Sequence, residues 1–137
     1  MPDRGVQQLE TENGGLKTVS EKEHLSNRLV EFAAEIIGLA VRLDKTPVGR
    51  HIGLQISRSA TSAGANYEEA CGAQSRADFV HKLQIVLKEL RESLYWLRLI
   101  QKANLVAITD NYHMLASEGN ELARIIGKSV VTAKQNK

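Results

Sequence analysis

Between residues 20 and 133 the apolar positions recur every three or four residues, the period of a helix with one face turned inward. A first row holds Leu25, Leu29, Phe32, Ile36, Ala40 and Leu43. A second holds Ile52, Ile56, Ala60, Ala63 and Tyr67, and a third Phe79, Leu83, Leu87, Leu90, Leu94 and Leu97. A fourth holds Leu115, Leu122, Ile125, Ile126, Val130 and Ala133. No segment alternates with period two, so no strand competes with these helices.

The boundaries carry their own chemistry. Ser20 and Glu23 have capping-box spacing, in which side chains satisfy free amides at a helix start, with Ser26 as a later alternative start. Thr46-Pro47 places a cap before proline at the first helical position. Ser75 with Asp78 three residues on, and Thr109-Asp110, open the last two helices, while Gly72 and Asn104 end the second and third. The expected helices are 20–44, 47–71, 76–102 and 110–133, within a bundle spanning 20–134. Short connections make successive helices antiparallel neighbours, so the expected fold is all-α, an up-down-up-down four-helix bundle. Residues 1–19 show no period and read as a flexible tail; 135–137 form a polar C-terminal tail.

The composition agrees. Of 137 residues 42% are hydrophobic and only 4% aromatic, so Leu, Ile, Val and Ala must build the core. The length suits one domain. The single Cys71 forms no intramolecular disulfide, no apolar run is long enough to span a bilayer, and the N-terminus lacks a signal-peptide layout; a cytoplasmic location is the expectation, with no membrane partner. Net charge is only +2, but residues 1–24 carry three basic and five acidic groups, whereas 75–102 carry six basic and three acidic.

That basic excess is ordered. His81, Gln84, Lys88, Arg91, Tyr95, Arg98 and Lys102 repeat at helical spacing on a face separate from the leucines. Lys88, Arg91, Arg98 and Lys102 are candidate phosphate contacts, and Tyr95 could stack on an unpaired base, making RNA or DNA a candidate partner. The ordinary alternative is a solvated face, or ion pairs to Glu31, Glu35, Glu118 or Glu121. On the second helix, Arg58, Ser62, Asn66 and Glu69 form a polar row beside small residues including Gly64. Gly64 inside a helix costs about 1 kcal/mol relative to Ala, tolerable where another backbone comes close. The row reads as a hydrogen-bonded seam, within the bundle or between subunits. Trp96, with Val80, Tyr95, Leu99 and Ile100, makes the third helix apolar on more than one side, which suits a subunit contact.

Catalytic and metal chemistry have little to stand on. His24, His51, His81 and His113 are isolated, and Glu21-Lys22-Glu23-His24 is a single Glu-x-x-His where a di-iron bundle needs two. Cys71 has no cysteine partner at metal spacing, and Ser57, Ser59 and Ser62 lie within a helix rather than on a nucleophile elbow. A non-enzyme without cofactor, metal or catalytic residues is expected.

Two stretches resemble a known family: Arg58-x3-Ser62-x3-Asn66-x2-Glu69, and Lys88-Glu89-x2-Glu92-x2-Tyr95-Trp96-Leu97. They resemble the four-helix-bundle proteins encoded by intervening sequences in bacterial 23S ribosomal RNA genes, a fold shared with the accessory variability proteins of diversity-generating retroelements. The resemblance covers about residues 25–133. It implies a four-helix bundle assembled as a ring-like homopentamer around a central channel. The role of the intervening-sequence members is not established. The retroelement members are highly basic and bind nucleic acid and a reverse transcriptase. The small charge of this chain places it nearer the intervening-sequence branch, with a protein-interaction role such as a reverse-transcriptase accessory as the alternative.

Overall fold

A computed structural model describes the backbone of residues 7–10 and 16–136, with side chains described from residue 20 onward. Four helices dominate: α1 (Glu21–Leu43), α2 (Pro47–Cys71), α3 (Arg76–Lys102) and α4 (Asp110–Gln135). Ahead of them, β1 (Gln7–Glu10) pairs antiparallel with β2 (Leu16–Val19), Gln7 opposite Val19 and Glu10 opposite Leu16. This short ladder leaves the fold class all-α. The rest of the tail expected over 1–19 lies outside the described residues.

Each helix starts where its cap stands. Ser20, Thr46, Ser75 and Thr109 adopt extended backbone, and their hydroxyls accept from the amides of Glu23, Gly49, Asp78 and Tyr112 at 3.0–3.2 Å. Such caps satisfy amides that the helix itself cannot, worth about 1 kcal/mol each. Asn104, at φ 55°, turns the chain out of α3 in the left-handed region that Asn tolerates better than most residues.

The helices pack as an antiparallel bundle in which α2 lies between α1 and α3, and α4 rests chiefly on α3. Two glycines set the α1–α2 approach. A Cβ at Gly53 would stand 3.2–3.4 Å from the Ala40 backbone and side chain, and one at Gly64 would meet Leu29 Cβ at 3.8 Å. On the other side Gly119 fits α4 against Phe32 and Leu94. The buried core runs through Leu29, Phe32, Ile36 and Leu39 of α1, Ile56, Ala60 and Ala63 of α2, and Leu122 and Ile126 of α4.

The core face of α3 corrects the expected one. The buried row is Leu83, Val86, Leu90, Ser93, Leu97 and Ile100, with Glu89 beside it; Phe79, Leu87 and Leu94 are half-buried flanks. The buried row passes through Ser93, so counting apolar residues favours the neighbouring leucines instead. Among the described residues, no helix is long and apolar enough to cross a membrane.

Candidate nucleic-acid interface and polar seam

The α3 row stands on the surface as a unit. Lys88, Arg91, Tyr95, Arg98 and Lys102 are all exposed, and His81 and Gln84 continue the row toward the N-terminal end. Over α3 the four cations span roughly 21 Å at 1.5 Å per residue. The Tyr95 ring meets Trp96 edge-on, with centroids 5.1 Å apart and planes at 70°. Trp96 is half-buried and packs on the core, so it holds Tyr95 while leaving it outside.

None of the carboxylates that could have neutralised this row pairs with it among the described residues. Glu118 receives a two-point ion pair from Arg28 at 2.7 and 2.9 Å, and Glu121 receives one from Arg124 at 2.7 and 3.0 Å. Glu31 and Glu35 face solvent on α1. Among the described residues none of Lys88, Arg91, Arg98 and Lys102 forms an ion pair. Lys88 feels the charge of Glu92 without touching it. Among the described residues, Arg91, Arg98 and Lys102 thus face water without an ion pair, and Lys88 has only the untouched Glu92 nearby, the condition under which phosphates bind by displacing counterions.

The row runs into a groove. Arg98, Gln101, Lys102, Asn104 and Ile108 line a cavity of about 510 Å³ where α3 gives way to the loop before α4. A second groove, of about 530 Å³, lies at the opposite end of the bundle, where Arg76, Arg124 and Lys128 surround Phe79 and Ile125. There Arg76 already donates to the Ala133 carbonyl at 3.2 Å.

The polar row of α2 is a seam inside the chain. Arg58 reaches across to α3, donating to Glu89 at 3.1 Å and also to Glu92. The Trp96 indole donates to Glu92 at 3.1 Å. Burial raises the Glu92 carboxyl, but the hydrogen bonds from Trp96 and Arg58 and the charges of Arg58 and Lys88 outweigh it and hold Glu92 below the usual carboxylate range. Asn66 donates to the Ser62 carbonyl at 2.9 Å and its hydroxyl at 3.1 Å, and Lys82 of α3 pairs with Glu69 at 2.8 Å. Gly64 faces Leu29 of α1. Sequence reasoning missed the deepest part of the seam. Ser59 and Ser93 are fully buried, with their hydroxyls 2.7 Å apart, and Glu89 is only 6% exposed. One signal was available: Glu89 and Glu92 are three residues apart, the spacing that lets a single guanidinium on a facing helix meet both.

A further surface has no charge. On the outer side of α1, Val30, Ala34, Ile37 and Val41 lie in one row and are exposed, the last two at 46% and 70%. The Gly53–Ala40 and Gly64–Leu29 approaches set the register, so Leu54 and Ala65 of α2 border Val41 and Val30. Leu54 is 66% exposed. Among the described residues, no group of three or more His, Cys, Asp or Glu side chains could hold a metal ion.

These features define a capped, antiparallel four-helix bundle with an internal ion-pair seam and an exposed basic row on α3. Residues 21–128 match the model of the 23S rRNA-intervening sequence protein family, and the chain belongs to that family. It is similar to a protein of unknown function from the S23 ribosomal protein family of Bacteroides thetaiotaomicron VPI-5482. The two are 35% identical with a TM-score of 0.71, over 77% of this chain and 97% of that one. No curated protein matches the chain significantly.

Proposed function

We propose that this protein is a non-enzymatic, cytoplasmic homo-oligomer, pentameric as the family resemblance implies, that binds RNA through α3. One observation carries the reading: Lys88, Arg91, Arg98 and Lys102 stand in line around Tyr95, exposed and without an ion pair among the described residues. Each copy offers four cations and an aromatic ring, and a symmetric assembly repeats them, which strengthens the field that draws in a polyanion.

Self-association is supported by the uncharged α1–α2 surface. The residues that the sequence offered as seam or subunit contacts, Arg58, Ser62, Gly64, Asn66, Glu69 and Trp96, all have partners within the chain. Val30, Ile37, Val41 and Leu54 are instead exposed and apolar, and a face of that kind can meet a second copy without burying an unpaired ion. Light scattering is expected to give a mass several times that of one chain; a monomer at micromolar concentration removes the assembly.

For RNA, the test is anisotropy with a structured ribosomal RNA fragment at rising salt. Four phosphate contacts give a slope of about −3 in log affinity against log salt for a single strand. Arg91→Glu with Arg98→Glu should lower affinity at least tenfold and flatten that slope, leaving the helical signal intact. Affinity untouched by this charge reversal removes the row as the site, and an acidic protein surface becomes the partner to test.

A further inference from the structure

We infer that the groove at the C-terminal end of α3 seats one unpaired nucleotide of a strand whose phosphates follow the α3 cations. The inference rests on the α3 row being a phosphate track, and adds what that track alone cannot do. A row of cations on a helix ridge contacts only the backbone of a nucleic acid, so by itself it reads neither strandedness nor base. The groove can read both.

It is a depression of about 510 Å³ that is open to solvent, so a strand can lie across it without threading into an enclosed pocket. Its lining is divided in the way a nucleotide is. Arg98 and Lys102 are the last two cations of the row, so a strand lying on α3 enters without leaving its counter-charges. Ile108 gives an apolar surface for a base. Gln101 and Asn104 bring two carboxamides, each with an NH₂ donor and a carbonyl acceptor, the two kinds of group that a base edge presents.

Both carboxamides are on exposed residues, and among the described residues neither makes a side-chain hydrogen bond. Asn104 stands there because the chain turns at φ 55° directly after α3. Tyr95 lies two turns before Lys102 on the same row, where an adjacent base can stack. In a duplex the Watson–Crick edges and the faces of each base are already engaged, so an unpaired base is the one that can both lie on Ile108 and pair its edge with the carboxamides. The groove around Phe79 is the weaker candidate. It lies off the row, Arg124 there is paired with Glu121, and Arg76 is bonded to the Ala133 carbonyl.

The experiment uses the full chain and a labelled oligonucleotide, single-stranded or fully paired, as RNA and as DNA, with 2-aminopurine at one central position. The variant is Gln101→Ala with Asn104→Gly, because glycine keeps the left-handed turn while removing the amide. A second variant, Ile108→Trp, fills the groove. The wild type should prefer the single strand and change the 2-aminopurine emission. Both variants should lose about tenfold in single-strand affinity, the scale of one base contact, and lose the emission change. Duplex affinity and salt slope should stay the same. A strand preference that survives both variants overturns the seat, and if Arg91→Glu still weakens binding the phosphate track stands without it. Conversely, if Arg91→Glu has no effect while the groove variants do, the seat stands and the track beyond Arg98 falls. Equal loss with RNA and DNA marks base recognition; loss with RNA alone adds the 2′-hydroxyl. No binding of either strand removes both readings.

Discussion

Replacing Arg58 by Met separates a seam from a ligand site. The substitution keeps most of the aliphatic stem and removes the guanidinium that joins Glu89 and Glu92 across α2 and α3. Glu89 is 6% exposed and its carboxylate has no other hydrogen-bond donor among the described side chains. Removing one partner of a fully buried pair costs about 3–5 kcal/mol, whereas an exposed pair is worth roughly 0.2–1 kcal/mol. The Arg58 side chain is half exposed, so water screens its end of the pair. The expected loss is therefore intermediate, about 2 kcal/mol in urea unfolding at neutral pH. Arg58→Met with Glu89→Met should recover much of it, since an apolar pair has no ion to strand. The pH dependence has a definite sign. Glu92 is held below its ordinary value of 4.5 in the folded state, so its contribution is present above pH 4.5 and is lost as pH falls through the folded value. The gap between wild type and Arg58→Met should therefore narrow in acid. A loss under about 0.5 kcal/mol at neutral pH, within the range of an exposed pair, would refute the seam and return Arg58 to the list of ligand contacts.

Three further outcomes follow from packing. Gly49→Ala places a Cβ 2.1 Å from the Leu43 carbonyl oxygen, backbone that cannot swing away, and presses on the Thr46 cap; a loss of about 2–3 kcal/mol in thermal or urea unfolding is expected. Gly38→Ala meets nothing within 4 Å and should stabilise α1 by up to about 1 kcal/mol, so equal effects at the two glycines would contradict the α1–α2 geometry. Tyr112→Phe removes the bond from the phenol to the Leu97 carbonyl at a cost of about 1 kcal/mol. Burial pushes the Tyr112 phenol up to about 12, so stability should decline from pH 10 toward 12 as the unfolded chain ionises first, a decline that Tyr112→Phe should reduce.

The helices and their ends were legible because caps and prolines act locally: Ser20, Thr46, Ser75 and Thr109 each need only their own next three residues to do their work. The exposed basic row was legible for a similar reason, since helical spacing alone puts Lys88 to Lys102 on one side. The inner face of α3 was not. Whether Ser93 or Leu94 points inward depends on where α2 and α4 lie, and Ser93 is accepted in the core because Ser59 of α2 meets it there. The polar row on α2 was visible as a row, but its partners Glu89, Glu92 and Lys82 are set by the α2–α3 register. The uncharged α1–α2 surface was missed because Val30, Ile37 and Val41 pass for ordinary helix residues until the neighbouring row is seen to fill the core.

The two proposed surfaces lie on different helices, and this makes assembly and nucleic-acid binding separable. The uncharged row runs along the outside of α1 beside Leu54 of α2, and the cations project from α3. A contact through the first leaves the second open, so each copy in an assembly keeps its own track. Ile37→Glu with Val41→Glu puts two carboxylates into the uncharged face, and burying unpaired charge in a contact costs several kcal/mol, enough to dissociate it. The bundle itself should survive, because both side chains already face solvent. The resulting monomer should bind a short strand, one that fits a single track, with the salt slope of the wild type. A long strand should bind it more weakly by the factor of ~10²–10⁴ that linked sites supply. Arg91→Glu with Arg98→Glu should do the reverse, keeping the assembly mass and losing the strand. If the α1 substitutions abolish short-strand binding as well, the site needs residues from two copies, and a track complete within one α3 is refuted.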